Sequence, residues 1–272
     1  MRDLIIGGCF NYNYDQIKFW INSINRSRFV GDKVLIVFDC DDTLASQIEQ
    51  NNFKVVRLPF DPSMAPHVQR FIAIYDYIEN NPARYVITTD VRDVVFQYDP
   101  MKWVQQNLID SGKDLVAGSE CLRYKDEPWG NQNLMDTYGQ FIHDRFKNNV
   151  IYNVGVLAGR SNHIRDLCLN IVLNSINRPV KICDQAVFNL LIQNEIYKQS
   201  MVYANLADRW VANLGTLADP NKMAYFSPNL LELPPYFTGE KVVINGSYGP
   251  EVCVVHQYDR TPWKHAIETI YR

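Results

Sequence analysis

Short, mainly apolar runs alternate with segments of helical periodicity across the first two thirds of the chain, and this alternation limits the fold more than any other feature. Leu4-Ile5-Ile6, Lys33 to Phe38, Phe53 to Val56, Tyr85 to Thr88, Asp114 to Ala117 and Asn153 to Ala158 read as strands. They lack the polar alternation of a half-exposed sheet, so both of their faces are expected to be covered. Between them, Ile17, Trp20, Ile21 and Ile24 form one apolar stripe, and Phe71, Ile74, Tyr75 and Ile78 form another within a helix over His67 to Ile78. Ile164 to Ile176 and Gln185 to Ile192 also read as helical. The β-α-β-α order argues for an α/β fold: a mostly parallel, twisted sheet flanked by helices.

The 272 residues suffice for a single large domain with a full core. From about residue 205 the texture changes: Pro220, Pro228, Pro234, Pro235, Gly239, Gly246 and Gly249 interrupt the helical rhythm. This region is expected to be an extension of the same domain that wraps back over the site. The net charge of -3 gives no basic footprint for nucleic acid. No run approaches the roughly 18 apolar residues of a membrane span. The start turns polar at Asn11-Tyr12-Asn13, so it does not read as a secretory signal. The two Asn-x-Ser sequons, Asn25 and Asn245, carry little weight without one. Six cysteines without a CxxC pair fit reduced thiols, and a cytoplasmic location is expected.

Open parallel sheets bind ligands at the carboxyl ends of their strands. Three polar segments fall there: Gly8-Cys9-Phe10-Asn11, Asp39-Cys40-Asp41-Asp42 and Asp90-Val91-Arg92-Asp93. The second, continued by Thr43-Leu44, resembles the D-x-D-x-T-L motif of haloacid-dehalogenase-type phosphatases, in which Asp39 would attack phosphorus and Asp41 act as general acid. A whole strand-helix unit precedes it, and no late G-D-x-x-x-D motif follows. The plainer alternative is a strand end followed by an acidic helix cap. The third brings two carboxylates, three positions apart, to the sheet rim. Mg²⁺ or Mn²⁺ favours carboxylate oxygens together with substrate phosphate oxygens. The alternative is an Asp90 cap with an Arg92–Asp93 surface pair.

Three later segments extend the pattern: Asn153-Val154-Gly155, Cys183-Asp184-Gln185-Ala186-Val187-Phe188-Asn189 and His256 through Thr261-Pro262-Trp263-Lys264. In this order after an acidic strand end, over roughly residues 1 to 265, the set resembles the GT-A-fold glycosyltransferases. It is most similar to the family 8 pattern of DxD, N-x-G, DQxxxN and H-x(n)-KPW. Two departures stand out. The acidic motif is Asp-Val-Arg-Asp, and the lysine before proline is Thr261, so Lys264 or Arg260 would take its place.

The resemblance implies a nucleotide-binding half over 1–115, and an acceptor-binding half with a metal and diphosphate segment over 116–272. Gly8, Cys9, Phe10 and Asn11 would hold the nucleotide, and Arg70, Val91, Arg92, Asn153, Gly155 and Lys264 would border the donor. Asp90, Asp93 and His256 would carry Mn²⁺ or Mg²⁺. Asp184 and Gln185 would line the acceptor side, with Asp184 as base or as binder of donor hydroxyls. Tyr124, Trp129 and Trp210 would stack a sugar ring, and Glu120 to Asn133 would form a mobile acceptor loop. The implied substrates are a nucleotide-diphosphate sugar, with UDP the nucleotide such enzymes favour, and a glycan or other hydroxyl acceptor. Transfer with inversion needs a carboxylate base on the acceptor hydroxyl, whereas retention does not. A phosphatase and a non-catalytic sugar-nucleotide-binding domain are the competing expectations.

Overall fold

The computed structural model describes residues 1–244 and 249–272, so the Asn245 sequon and Gly246 lie outside the described residues. In chain order the elements are β1 (Leu4–Phe10), α1 (Tyr14–Ser27), β2 (Asp32–Phe38), α2 (Asp42–Glu49), β3 (Lys54–Leu58), α3 (Pro66–Asn80), β4 (Tyr85–Thr89), β5 (Val94–Phe96), α4 (Pro100–Val104), β6 (Leu115–Arg123), α5 (Pro128–Phe146), β7 (Val150–Arg160), α6 (Ser161–Ser175) and α7 (Asp184–Ile192). Strands β8 (Met201–Ala204), β9 (Val211–Asn213), β10 (Tyr236–Phe237), β11 (Val242–Val243) and β12 (Val254–His256) follow.

The central sheet has the order β3-β2-β1-β4-β7-β6-β8. Its strands pair in parallel except for β7, which runs antiparallel to both β4 and β6. The expected mostly parallel sheet is therefore present. Its apolar runs are buried on both faces except at the edge strand β3, whose residues are exposed or half-buried. Ile5, Leu35 and Ile87 pack with Trp20, Ile21 and Ile24 of α1, while Leu4, Ile6 and Ile36 pack on the other face with Phe71, Ile74 and Ile78 of α3 and with Ile164 and Leu167 of α6. Helix α1 begins with a capping box. Asn13 Oδ1 accepts from Gln16 N at 3.1 Å, and Gln16 Oε1 accepts from Asn13 N at 3.0 Å. Pro66 opens α3 at a position where a missing N–H costs nothing.

Two features place the site. Strand order reverses beside β1, with β2 on one side and β4 on the other, and the crevice of such a sheet opens at that point. The C-terminal segment then folds back: β12 pairs antiparallel with β5 and parallel with β9 in a second sheet, β5-β12-β9. That register sets His256 opposite Val94, the residue after Asp93, and also opposite Asn213. Trp20 fastens the end of β4 by donating from Nε1 to Thr89 Oγ1 at 2.8 Å, immediately before Asp90. No helix among the described residues is long and apolar enough to cross a membrane.

Candidate functional site

Two clefts meet at the carboxyl ends of β1 and β4. Gly8, Cys9, Phe10, Tyr12, Val91, Arg92 and Asp93 line the first. Glu120, Trp129, Asn153, Gly155, Asp184, Gln185 and His256 line the second. His67, Arg70, Asp90 and Arg260 border both.

Asp90, Asp93 and His256 each offer one ligand atom at this junction, and the three atoms lie within 4.8 Å of one another. His256 Nε2 is 3.3 Å from Asp90 Oδ2 and 3.8 Å from Asp93 Oδ1. The tautomer follows from the neighbour of the other ring nitrogen. Asn213 Nδ2 donates to Ser119 O at 2.9 Å and faces Gly118 O at 3.4 Å, which fixes its amide orientation. Its Oδ1 is then the atom 2.9 Å from His256 Nδ1, so Nδ1 carries the proton and donates. Nε2 is left with a lone pair, buried and, among the described residues, without a hydrogen-bond partner, facing two carboxylates. Burial lowers the imidazole pKa, against an opposing pull from Asp93, and favours the neutral ring that ligates a metal. Two carboxylates and an imidazole lone pair suit a divalent cation, and Asn213 is the partner that orients the ring. Asn213→Ala is expected to weaken Mn²⁺ affinity by about 10- to 100-fold. A metal titration of the purified variant measures this, and an unchanged affinity would show that the ring needs no orienter.

Arg70, buried, pairs with Asp90 and lies with Nη2 3.4 Å from Asp184 Oδ2. The guanidinium thus ties the end of β4 to the start of α7. Asp184 is buried beside that guanidinium and lines the second cleft. Gln185 donates to Glu120 Oε1 at 3.3 Å, and Asn153 Nδ2 donates to the same oxygen at 2.6 Å. Asn189 clamps β7, accepting from Tyr152 N at 2.9 Å and donating to Tyr152 O at 2.8 Å. The motif over 183–189 thus fastens a helix to a strand as well as lining the cleft.

Several expected site residues fall elsewhere. Trp210 is fully buried against Trp103, with ring centroids 4.9 Å apart, and Tyr124 is buried with Leu134 and Ile151. Neither lines either cleft. These rings fill core space, while Trp129, 54% exposed, is the expected stacking residue at the rim. Lys264 lies outside both clefts at the start of the C-terminal helix, 3.9 Å from Glu268. Thr261 is committed to a turn, with Oγ1 donating to Tyr258 O at 2.9 Å, and Arg260 is the cation that reaches the junction. Asn11, in the left-handed region at φ 58°, lines a neighbouring groove with Asp39 and Asp41. The expected loop over 120–133 is the end of β6, a short turn and the start of α5.

The acids of the phosphatase-like segment are engaged by backbone amides. Asp41 Oδ1 accepts from Leu44 N at 2.7 Å as the N-cap of α2, and Asp39 Oδ1 accepts from Phe60 N at 3.0 Å. Burial pushes the Cys9 thiol up to about 12.

Tyr12, His67, Glu120, Glu127, Asn213 and Arg260 complete the site. The sequence reading gave none of them a firm role, although Arg260 was named as a stand-in for the missing lysine. Glu127 caps α5, accepting from Trp129 N at 3.4 Å and from Gly130 N, which holds the Trp129 end of the cleft in place. Glu120 is 5% exposed, and burial first, then the nearby Glu127 charge, raise its carboxyl above its ordinary 4.5. A raised carboxyl binds more protons folded than unfolded, so it stabilises fully below the unfolded pKa, and that contribution fades as pH rises through the folded one. Glu120→Gln, neutral at every pH and able to accept both amides, is therefore expected to melt higher than wild type at pH 7. The gap should close below about pH 4.5. Melting curves across that range test the sign, and equal curves at pH 7 would contradict it.

The sequence matches no protein-family model and no curated protein sequence. The structure matches that of the glycosyltransferase GlyE of Streptococcus pneumoniae TIGR4, with a TM-score of 0.57 and 15% identity. The match takes in 100% of this chain and 61% of that one, so this chain spans about three fifths of the length of its structural neighbour. At this identity the match establishes the fold: an α/β arrangement shared with a glycosyltransferase.

Proposed function

We propose that this chain is a metal-dependent glycosyltransferase. It would move a sugar from a nucleoside-diphosphate sugar, with UDP as the nucleotide, to a hydroxyl acceptor such as a glycan. One observation carries this reading. Strand ends from the middle of the chain and a histidine from its tail converge where two clefts join, and the imidazole presents a bare lone pair between two carboxylates. A phosphate-bearing ligand with two dissimilar halves fits such a junction.

The first cleft takes the nucleoside, walled by Gly8, Cys9, Phe10 and Tyr12. Asp90, Asp93 and His256 hold Mn²⁺ or Mg²⁺. When bound, such a cation offsets the charge that develops on the departing diphosphate. Arg70 and Arg260 border both clefts and face the same diphosphate. The second cleft takes the sugar beside Asn153 and Gly155 and the acceptor beside Trp129, whose exposed ring can stack on a sugar. Asp184 serves this arrangement by holding Arg70.

The test is a panel of nucleotide sugars with the purified chain and Mn²⁺, read as release of the nucleoside diphosphate. Turnover that stops on chelation and returns with Mn²⁺ is expected. No turnover with any donor, together with no melting shift from UDP plus Mn²⁺, sinks the proposal. Phosphate release from simple phosphoesters, lost on Asp39→Ala, would move the assignment to a phosphatase.

A further inference from the structure

At the floor of the second cleft Glu120 stands apart from the groups that hold cation and nucleotide. It is 5% exposed, sits near the end of β6 and lines the cleft. Both of its amide partners, Asn153 Nδ2 at 2.6 Å and Gln185 Nε2 at 3.3 Å, donate to Oε1. Among the described residues no donor meets Oε2. Asn153 cannot be turned to face elsewhere without loss, because its own Oδ1 accepts from Gly155 N at 2.6 Å. The carboxylate is thus fixed in orientation by one oxygen while the other is held for a donor that the protein does not supply. The residue lines the cleft, where a ligand O–H can supply the donor that this oxygen lacks.

Asn153, which anchors Glu120, sits two residues from Gly155, and an added Cβ at Gly155 would come within 2.7 Å of Asp90 Oδ2. Through Asn153, Glu120 is thus tied to the strand that packs against the metal ligands, and the sugar attached to a diphosphate would sit beside that strand. The charge of the floor narrows the sugar further. Glu120 and Glu127 both line this cleft, with Asp184, while Lys222, Arg70 and Arg260 are the cations on its lining. A uronic acid would add another carboxylate to the acids there. A hydroxyl-bearing neutral hexose offers donors instead.

We infer that Glu120 is a specificity-determining residue which accepts a hydroxyl of the transferred sugar, and that the donor carries a neutral hexose in preference to a uronic acid. This rests on the transferase reading above, and the experiment separates the two. Wild type and Glu120→Gln are compared for Mn²⁺-dependent binding of UDP by calorimetry, and for hydrolysis of UDP-glucose, UDP-galactose and UDP-glucuronate. The variant keeps the acceptor for both amides and removes the charge and the free carboxylate oxygen.

Binding of UDP is expected to be the same in both within about twofold, since the first cleft is untouched. Wild type should favour a neutral UDP-hexose over UDP-glucuronate. Glu120→Gln should lose about 10- to 100-fold in kcat/KM on that hexose, the range expected when a charge-assisted hydrogen bond is removed, and should discriminate less against the uronate. UDP-glucuronate as the best wild-type donor, its carboxylate paired with Lys222 on the cleft wall, overturns the inference without any variant. So does wild-type kcat/KM in Glu120→Gln. A wild-type chain that binds UDP with Mn²⁺ but shows none of these activities also overturns it while leaving the nucleotide site standing. A chain that binds no UDP at all removes the transferase reading and this inference together.

Discussion

Asp93→Asn is expected to reduce Mn²⁺-dependent turnover about 10³-fold, equivalent to roughly 4 kcal/mol of transition-state stabilisation. The side chain is buried, with Oδ1 3.8 Å from His256 Nε2, and asparagine matches its shape while removing the charge. Hard divalent cations favour anionic oxygens, so the amide is a poor substitute. With Asp93 neutral, the lone pair of His256 faces a single carboxylate, Asp90, which is itself paired with Arg70. The melting shift that UDP plus Mn²⁺ gives the wild type should vanish in the variant, because stabilisation by mass action needs a site that binds. Asp39→Ala is the companion variant. Its carboxylate holds the Phe60 amide and lies outside both clefts, so turnover should survive. Asp93→Asn with wild-type metal-dependent turnover would end the assignment of this cluster as the cation site.

Gly155→Ala should be nearly as damaging, for a steric reason. A Cβ at this position would lie 2.6 Å from His256 Cε1, 2.7 Å from Asp90 Oδ2 and 2.8 Å from Asn153 Oδ1. Those distances are shorter than any relaxed contact, and two of the three partners belong to the cation cluster. The backbone has little room to retreat. Gly155 N donates to Asn153 Oδ1 at 2.6 Å, and Gly155 O accepts from Asp90 N at 2.7 Å. Overpacking of this kind costs about 1–3 kcal/mol in stability. The functional cost should be greater, about 10²-fold or more in turnover, since displacing a ligand by about 1 Å is enough. Thermal melting and a Mn²⁺ titration separate the two effects. A folded Gly155→Ala protein with wild-type metal affinity would show that the imidazole and carboxylate are free to move aside.

The order of strands and helices was legible because it is written locally. Leu4-Ile5-Ile6 is apolar at every position, which a strand covered on both faces requires, and the stripes on α1 and α3 recur at helical spacing. Asp90 and Asp93 were legible as polar residues at a strand end, and Gly155 and His256 joined them only through the resemblance to the glycosyltransferase pattern. The aromatic residue at the cleft rim was not legible. Tyr124, Trp129 and Trp210 are equivalent as sequence, and only packing leaves Trp129 at the rim while the other two fill the interior. Lys264 and Arg260 are four positions apart, and the turn held by Thr261 carries Arg260 to the junction and Lys264 away from it.

What the sequence determined by itself is the class of fold, because hydrophobic period is a short-range property of the chain, and the polar strand ends it marked are only candidates for a site. Only the tertiary structure decided how that site is wired. The pairing of β12 with β5 and β9 brings His256 beside Asp93 and Asn213, residues 163 and 43 positions away. A tautomer, an orphaned lone pair and a carboxylate with one free oxygen arise from hydrogen bonds between distant segments, and no local pattern specifies which partners will meet.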